Sequence, residues 1–90
     1  MTDKFQVLTE NLAYRNDSIE SYQINIDNYT YAIKKIDSDH SSDSDLSGPF
    51  RAELVQRLKD ELIQQRREIV IRDVIADQLR DLQPPTPEAE

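Results

Sequence analysis

Residues 5–36 read FQVLTENLAYRNDSIESYQINIDNYTYAIKKI, and the spacing of their apolar side chains decides the fold. Phe5, Leu12, Ile19, Ile26 and Ile33 recur every seven residues, and Leu8, Arg15, Tyr22, Tyr29 and Ile36 interleave with them at alternating steps of three and four. That period puts all of these positions on one face of a long helix and calls for a second helix against it, as in a coiled coil. Arg15 alone breaks the apolar series.

Outward from this stretch, Ser38 to Pro49 read SDHSSDSDLSGP, a run of turn formers without an apolar period. The expected organisation is a single helical-hairpin domain over 1–83. It has a helix at 3–37, an acidic Ser/Asp linker at 38–49 and a second helix at 50–83. Thr2 is placed to cap the first helix, with Asp3 in its first turn and Lys34 and Lys35 in its last. Ser47 or Gly48 would cap the second, with Pro49 in its first turn, where the missing N–H costs nothing. Pro84 and Pro85 stop it, and 84–90 reads as a disordered Pro/Glu tail.

Equal helices joined by one connection predict an all-α, antiparallel two-helix hairpin. A pivot near residue 43 sets Ile33 beside Leu54, Tyr29 beside Leu58, Ile26 beside Leu62 and Ile19 beside Ile69. Further along, Leu12 falls near Ile75 and Ala76, Leu8 beside Leu79 and Phe5 beside Leu82. The expected seam core is therefore Phe5, Leu8, Leu12, Ile19, Tyr22, Ile26, Tyr29 and Ile33 against Leu54, Leu58, Leu62, Ile69 and Leu79. Tyr22 would meet Gln65 and Arg15 would meet Arg72, leaving the middle polar. Two readings of those arginines follow: they reach outward to Asp17, Glu68 or Asp73, or they await carboxylates from another chain. Ile63, Val70 and Val74, widened by Ile71, form apolar surface that one seam does not use. A homodimer closing a four-helix bundle would bury it. With Arg15 and with Tyr31, which lies off the seam, these are the expected partner-contact residues.

Composition narrows the function. The net charge is -7, which opposes binding to a phosphate backbone, so no direct nucleic-acid contact is expected and another protein is the expected partner. Most of the acid excess falls in the linker and tail, and residues 50–83 balance seven cations against seven anions. Without cysteine there is no disulfide or thiolate site, and with one glycine there is no phosphate loop. No run of about 20 apolar residues suggests a membrane span and no signal-peptide pattern opens the chain, so the expected location is the cytoplasm.

No catalytic, cofactor or metal residues are expected. His40 has no second histidine or cysteine beside it. Asp43, Asp45, Ser47, Gly48 and Phe50 echo the opening of a calcium loop, but Leu54 stands where a bidentate Glu is required, and a Ser/Asp linker accounts for them. Pro84 and Pro87 have PxxP spacing that helix termination explains. The carboxylates have no apolar wall, set by spacing, that would adjust one for acid–base work.

The segment Tyr22-Gln-Ile-Asn-Ile-Asp-Asn-Tyr29, followed by Ala32 and Ile33, resembles the first helix of small helical-hairpin proteins encoded by tailed bacteriophages. The resemblance covers residues 10–36. It implies an accessory role in a host cytoplasm and transfers no site residues. The expected function is a non-enzymatic interaction protein. The competing expectation is an acidic DNA mimic that occupies a host nucleic-acid-binding protein.

Overall fold

The computed structural model describes residues 3–82, so Thr2, Gln83 and the 84–90 tail lie outside the described residues. Helix α1 spans Lys4–Asp39, a single π-helical turn covers Leu46–Phe50, and helix α2 continues from it as Arg51–Leu82. The two long helices pack against each other as a hairpin, with no strand among the described residues.

The connection is much shorter than the composition of 38–49 suggested, because both helices extend into it. Asp3 caps α1 by accepting the Phe5 N–H on its carboxylate at 3.1 Å. At the far end the His40 N–H closes on the Ile36 carbonyl. Helical structure resumes at Ser44. Asp43 serves as its cap, Oδ1 accepting from the N–H groups of Asp45 at 3.0 Å and Leu46 at 3.2 Å. Neither Ser47 nor Gly48 is the cap.

Pro49 therefore sits inside a helix, and its lack of an N–H would leave a gap in the i→i−4 ladder. The chain widens there instead: the Arg51 N–H donates to Leu46 O, five residues back, as in a π turn. Arg51 also clamps the turn from outside, its guanidinium gripping Asp37 through Nε at 2.7 Å and Nη2 at 3.1 Å.

The molecule is one layer of helices, 68 × 33 × 14 Å, so most side chains keep an open flank. Its buried residues are Ile26, Ile33, Ile36, Leu54, Ile75 and Leu79, and none of the described side chains is wholly enclosed. Ile33, Ile36 and Leu54 form a cluster at the turn end, with Tyr29, Ala32, Leu46, Val55 and Leu58 packed around it. Leu8, Leu12, Ile19, Tyr22, Tyr29, Leu58 and Ile69 are half-buried along the seam.

Two expected core residues are not core. Leu62 is exposed, because the three-four alternation of α2 runs through Leu54, Leu58, Glu61, Gln65, Glu68, Arg72, Ile75 and Leu79 and gives the seam position to Glu61. Leu62 is one residue past it, turned to the flank of the hairpin by ~100°. Phe5 is exposed too, at the free end, where Leu79 is the last buried residue of α2 and Leu82 is exposed.

Gly48 has no positive φ, and a Cβ built there meets nothing within 4 Å. Gly48→Ala should therefore raise the free energy of unfolding by about 0.5–1 kcal/mol, through the lower entropy of the unfolded chain. Urea denaturation followed by circular dichroism checks it, and an unchanged or lowered midpoint would contradict a helical glycine here.

The turn also carries a pH dependence. The hydrogen bond from Arg51, with its charge, holds Asp37 below the ordinary carboxylate range, and Lys35 and Ser38 do the same for Asp39. A depressed folded-state value stabilises the fold above the unfolded pKa of about 3.9, and that stabilisation is lost as the pH falls through the folded value. The melting-temperature difference between wild type and Asp37→Asn should be small, because the pair is exposed, and should vanish at the acid end of a pH series.

Candidate interaction site

The polar middle of the seam is where the two helices recognise each other. Arg15 reaches across from α1, and its Nη1 donates to both Glu68 carboxylate oxygens at 2.9 Å. The pair is half-buried, with 30% of the Arg15 side chain and 17% of the Glu68 side chain exposed. Arg15 also stacks over the Tyr14 ring, 5.5 Å from its centroid. One turn away, Gln65 Nε2 donates to the main-chain carbonyl of Ile19 at 3.3 Å and to Gln23 Oε1 at 2.9 Å.

Gln65 thus sits between Ile19 and Gln23, on either side of its expected neighbour Tyr22, and Arg15 reaches one turn of α2 from Arg72 to Glu68. Arg72 turns to its neighbour Asp73 at 3.0 Å. Both arginines thus find carboxylates within the chain, the outcome in which they reach outward. The neighbouring seam position is less well served: Glu61 Oε2 is buried with no hydrogen-bond partner among the described residues.

Sequence reasoning named Glu68 among the carboxylates for the seam arginines but followed the apolar Leu62 and stepped over Glu61. The signal that would have found it is the strict three-four alternation, continued without regard to polarity.

The other expected contact residues lie elsewhere. Ile63, Val70 and Val74 each stand two residues past a seam position of α2, namely Glu61, Glu68 and Arg72. Two residues advance a helix by ~200°, so these side chains point away from α1. All three are exposed, Val70 at 62%. Arg66 and Arg67 flank a shallow hollow between Ile63 and Val70, and neither forms an ion pair among the described residues. Ile71 is exposed on the flank.

On α1, Tyr31 is 68% exposed, two residues past Tyr29, and Lys34 lies over its ring at 5.7 Å. A four-helix bundle closes over the flank of a hairpin, about a quarter turn from the seam. An outer stripe half a turn away would stay wet in it.

Asp43 is committed to its cap, and among the described residues no group of three or more His, Asp and Glu side chains is arranged to hold a metal ion. Among the described residues no helix is long and apolar enough to cross a membrane. Comparison of the chain with protein-family models, with curated proteins and with solved structures gives no match.

Removing one member of the Arg15–Glu68 pair strands the other. Glu68→Ala should cost about 1–3 kcal/mol, between the exposed and fully buried limits. Arg15→Met with Glu68→Leu should recover most of it, as urea denaturation of the single and double variants would read. Glu61→Leu should stabilise by about 1–2 kcal/mol, since it removes an unpaired oxygen and fills a seam position. A loss would show that Glu61 holds a contact worth more than the burial of a leucine.

Proposed function

We propose that this chain is a non-enzymatic protein-binding module whose working surface is the outer face of α2. The observation that supports the reading most is the placement of Ile63, Val70 and Val74. Three branched apolar side chains stand in one stripe on the face turned from α1, beside two arginines that form no ion pair among the described residues. Scattered exposed apolar residues are ordinary, whereas a contiguous stripe rimmed by charge is the usual form of a docking surface. The arginine rim gives it a preference for an acidic partner.

The DNA-mimic reading needs unbroken rows of acid. On α2 the acids alternate with bases, and Arg57–Glu53, Arg72–Asp73 and Arg80–Asp77 pair along the helix. This favours a mixed, protein-like interface over an imitation of phosphates.

The triple variant Ile63→Ser, Val70→Ser, Val74→Ser tests the reading, because exposed side chains can change without unfolding the hairpin. Immobilised wild type should retain a protein partner from a lysate of its own cell that the triple variant, helical by circular dichroism, releases. Equal retention by both proteins would overturn the assignment of the surface.

A further inference from the structure

The outer face of α1 carries a stripe that answers the one on α2. Ile24 and Tyr31 stand two residues past the seam positions Tyr22 and Tyr29, and both are exposed. Glu20, Asp27 and Lys34 share their face, at the same three-four steps. On α2 the corresponding series is Lys59, Ile63, Arg66, Val70 and Asp73.

The two series have identical spacing and opposite charge. When residue i of α1 is set beside residue i+39 of α2, Glu20 faces Lys59, Ile24 faces Ile63, Asp27 faces Arg66, Tyr31 faces Val70 and Lys34 faces Asp73. Two apolar contacts then alternate with three opposite-charge contacts. Within one chain this pairing is impossible, because the stripes lie on opposite edges of the hairpin.

We propose that copies of this protein associate edge to edge, the outer stripe of α1 in one copy packing parallel to the outer stripe of α2 in the next at that register. The proposal rests on the reading of the α2 stripe as a docking surface and names its partner as a second copy.

Other pairings fit less well. Antiparallel packing of the same stripes, with Ile24 on Val70 and Tyr31 on Ile63, keeps two opposite-charge contacts, Asp27 with Arg67 and Lys34 with Asp60, but sets Glu20 against Val74 in place of a cation and Asp17 against Asp77. Two α2 stripes packed antiparallel, with Ile63 on Val70, bring Arg66 onto Arg67 at the symmetry axis. Like charges directly opposed work against both. Edge-to-edge contact between unlike faces is heterologous, so each added copy leaves one α1 edge and one α2 edge free.

Sedimentation equilibrium on two edge variants tests this. One carries Ile24→Ser with Tyr31→Ser and the other Ile63→Ser with Val70→Ser, with helicity checked by circular dichroism. Wild type should rise above 10.5 kDa with concentration and fall back at high salt. Each variant alone should remain a monomer, while an equimolar mixture should form a two-chain complex and nothing larger, since each chain brings one intact edge.

Self-association of the α1-edge variant at wild-type strength would overturn the proposal in favour of α2 on α2. A wild type that stays monomeric at every concentration would overturn self-assembly. The docking reading would survive that result if the Ile63, Val70, Val74 variant still released its partner. The described residues contain no cysteine, so the register can be read by disulfide trapping. Ile24→Cys should cross-link with Ile63→Cys in preference to Val70→Cys, and the reverse preference would overturn the parallel arrangement.

Discussion

The contact between Arg15 and Glu68 is the constraint on which the hairpin's form depends. A seam built from apolar residues alone tolerates a slip of a turn, because one aliphatic side chain replaces another at little cost. A half-buried guanidinium does not tolerate it. In any other register Arg15 leaves Glu68 unpaired beside α1, and Gln65 loses the Ile19 carbonyl. The polar layer thus trades stability for a single alignment, the use for which buried polar positions in coiled coils are best attested. The apolar clusters at either end, around Ile33 and Leu54 and around Ile75 and Leu79, supply the adhesion that this layer gives up.

The alignment has a second effect. With the seam on one side of each helix fixed, every other residue has a defined direction, and the outer stripes cannot rotate inward to cover themselves. A molecule one helix thick has no second layer to receive them. Their exposure is therefore a property of the fold and not of loose packing.

Much of this was legible in the sequence, because helical period is a local property. The two helices, their antiparallel pairing and the apolar contact of Ile33 with Leu54 followed from spacing. The stripe through Ile63, Val70 and Val74 followed from apolar residues left over. What was not legible depended on choices between nearly equivalent neighbours. Leu62 and Glu61 are adjacent, and only the geometry of the other helix decides which faces inward. The linker misled for a different reason: Ser and Asp favour turns and helix caps alike. Asp43 used that ambiguity to start a helix inside a stretch that reads as loop, and Pro49 was accommodated by widening the turn.

The hairpin joins its two helices at one short turn and nowhere else, and this gives the molecule a direction in time. Ile33 and Leu54 are separated by a short length of chain, whereas Arg15 and Glu68 are separated by 53 residues. The entropy of closing a loop grows with its length, so contacts beside the turn cost the least chain entropy to form. The free ends detach at small cost, while separation at the turn requires the whole seam to be undone. Amide protons should therefore exchange along a gradient, slowest near Ile33 and Leu54 and fastest toward Phe5 and Leu82. The outer stripes at Ile24 and Ile63 lie between these extremes.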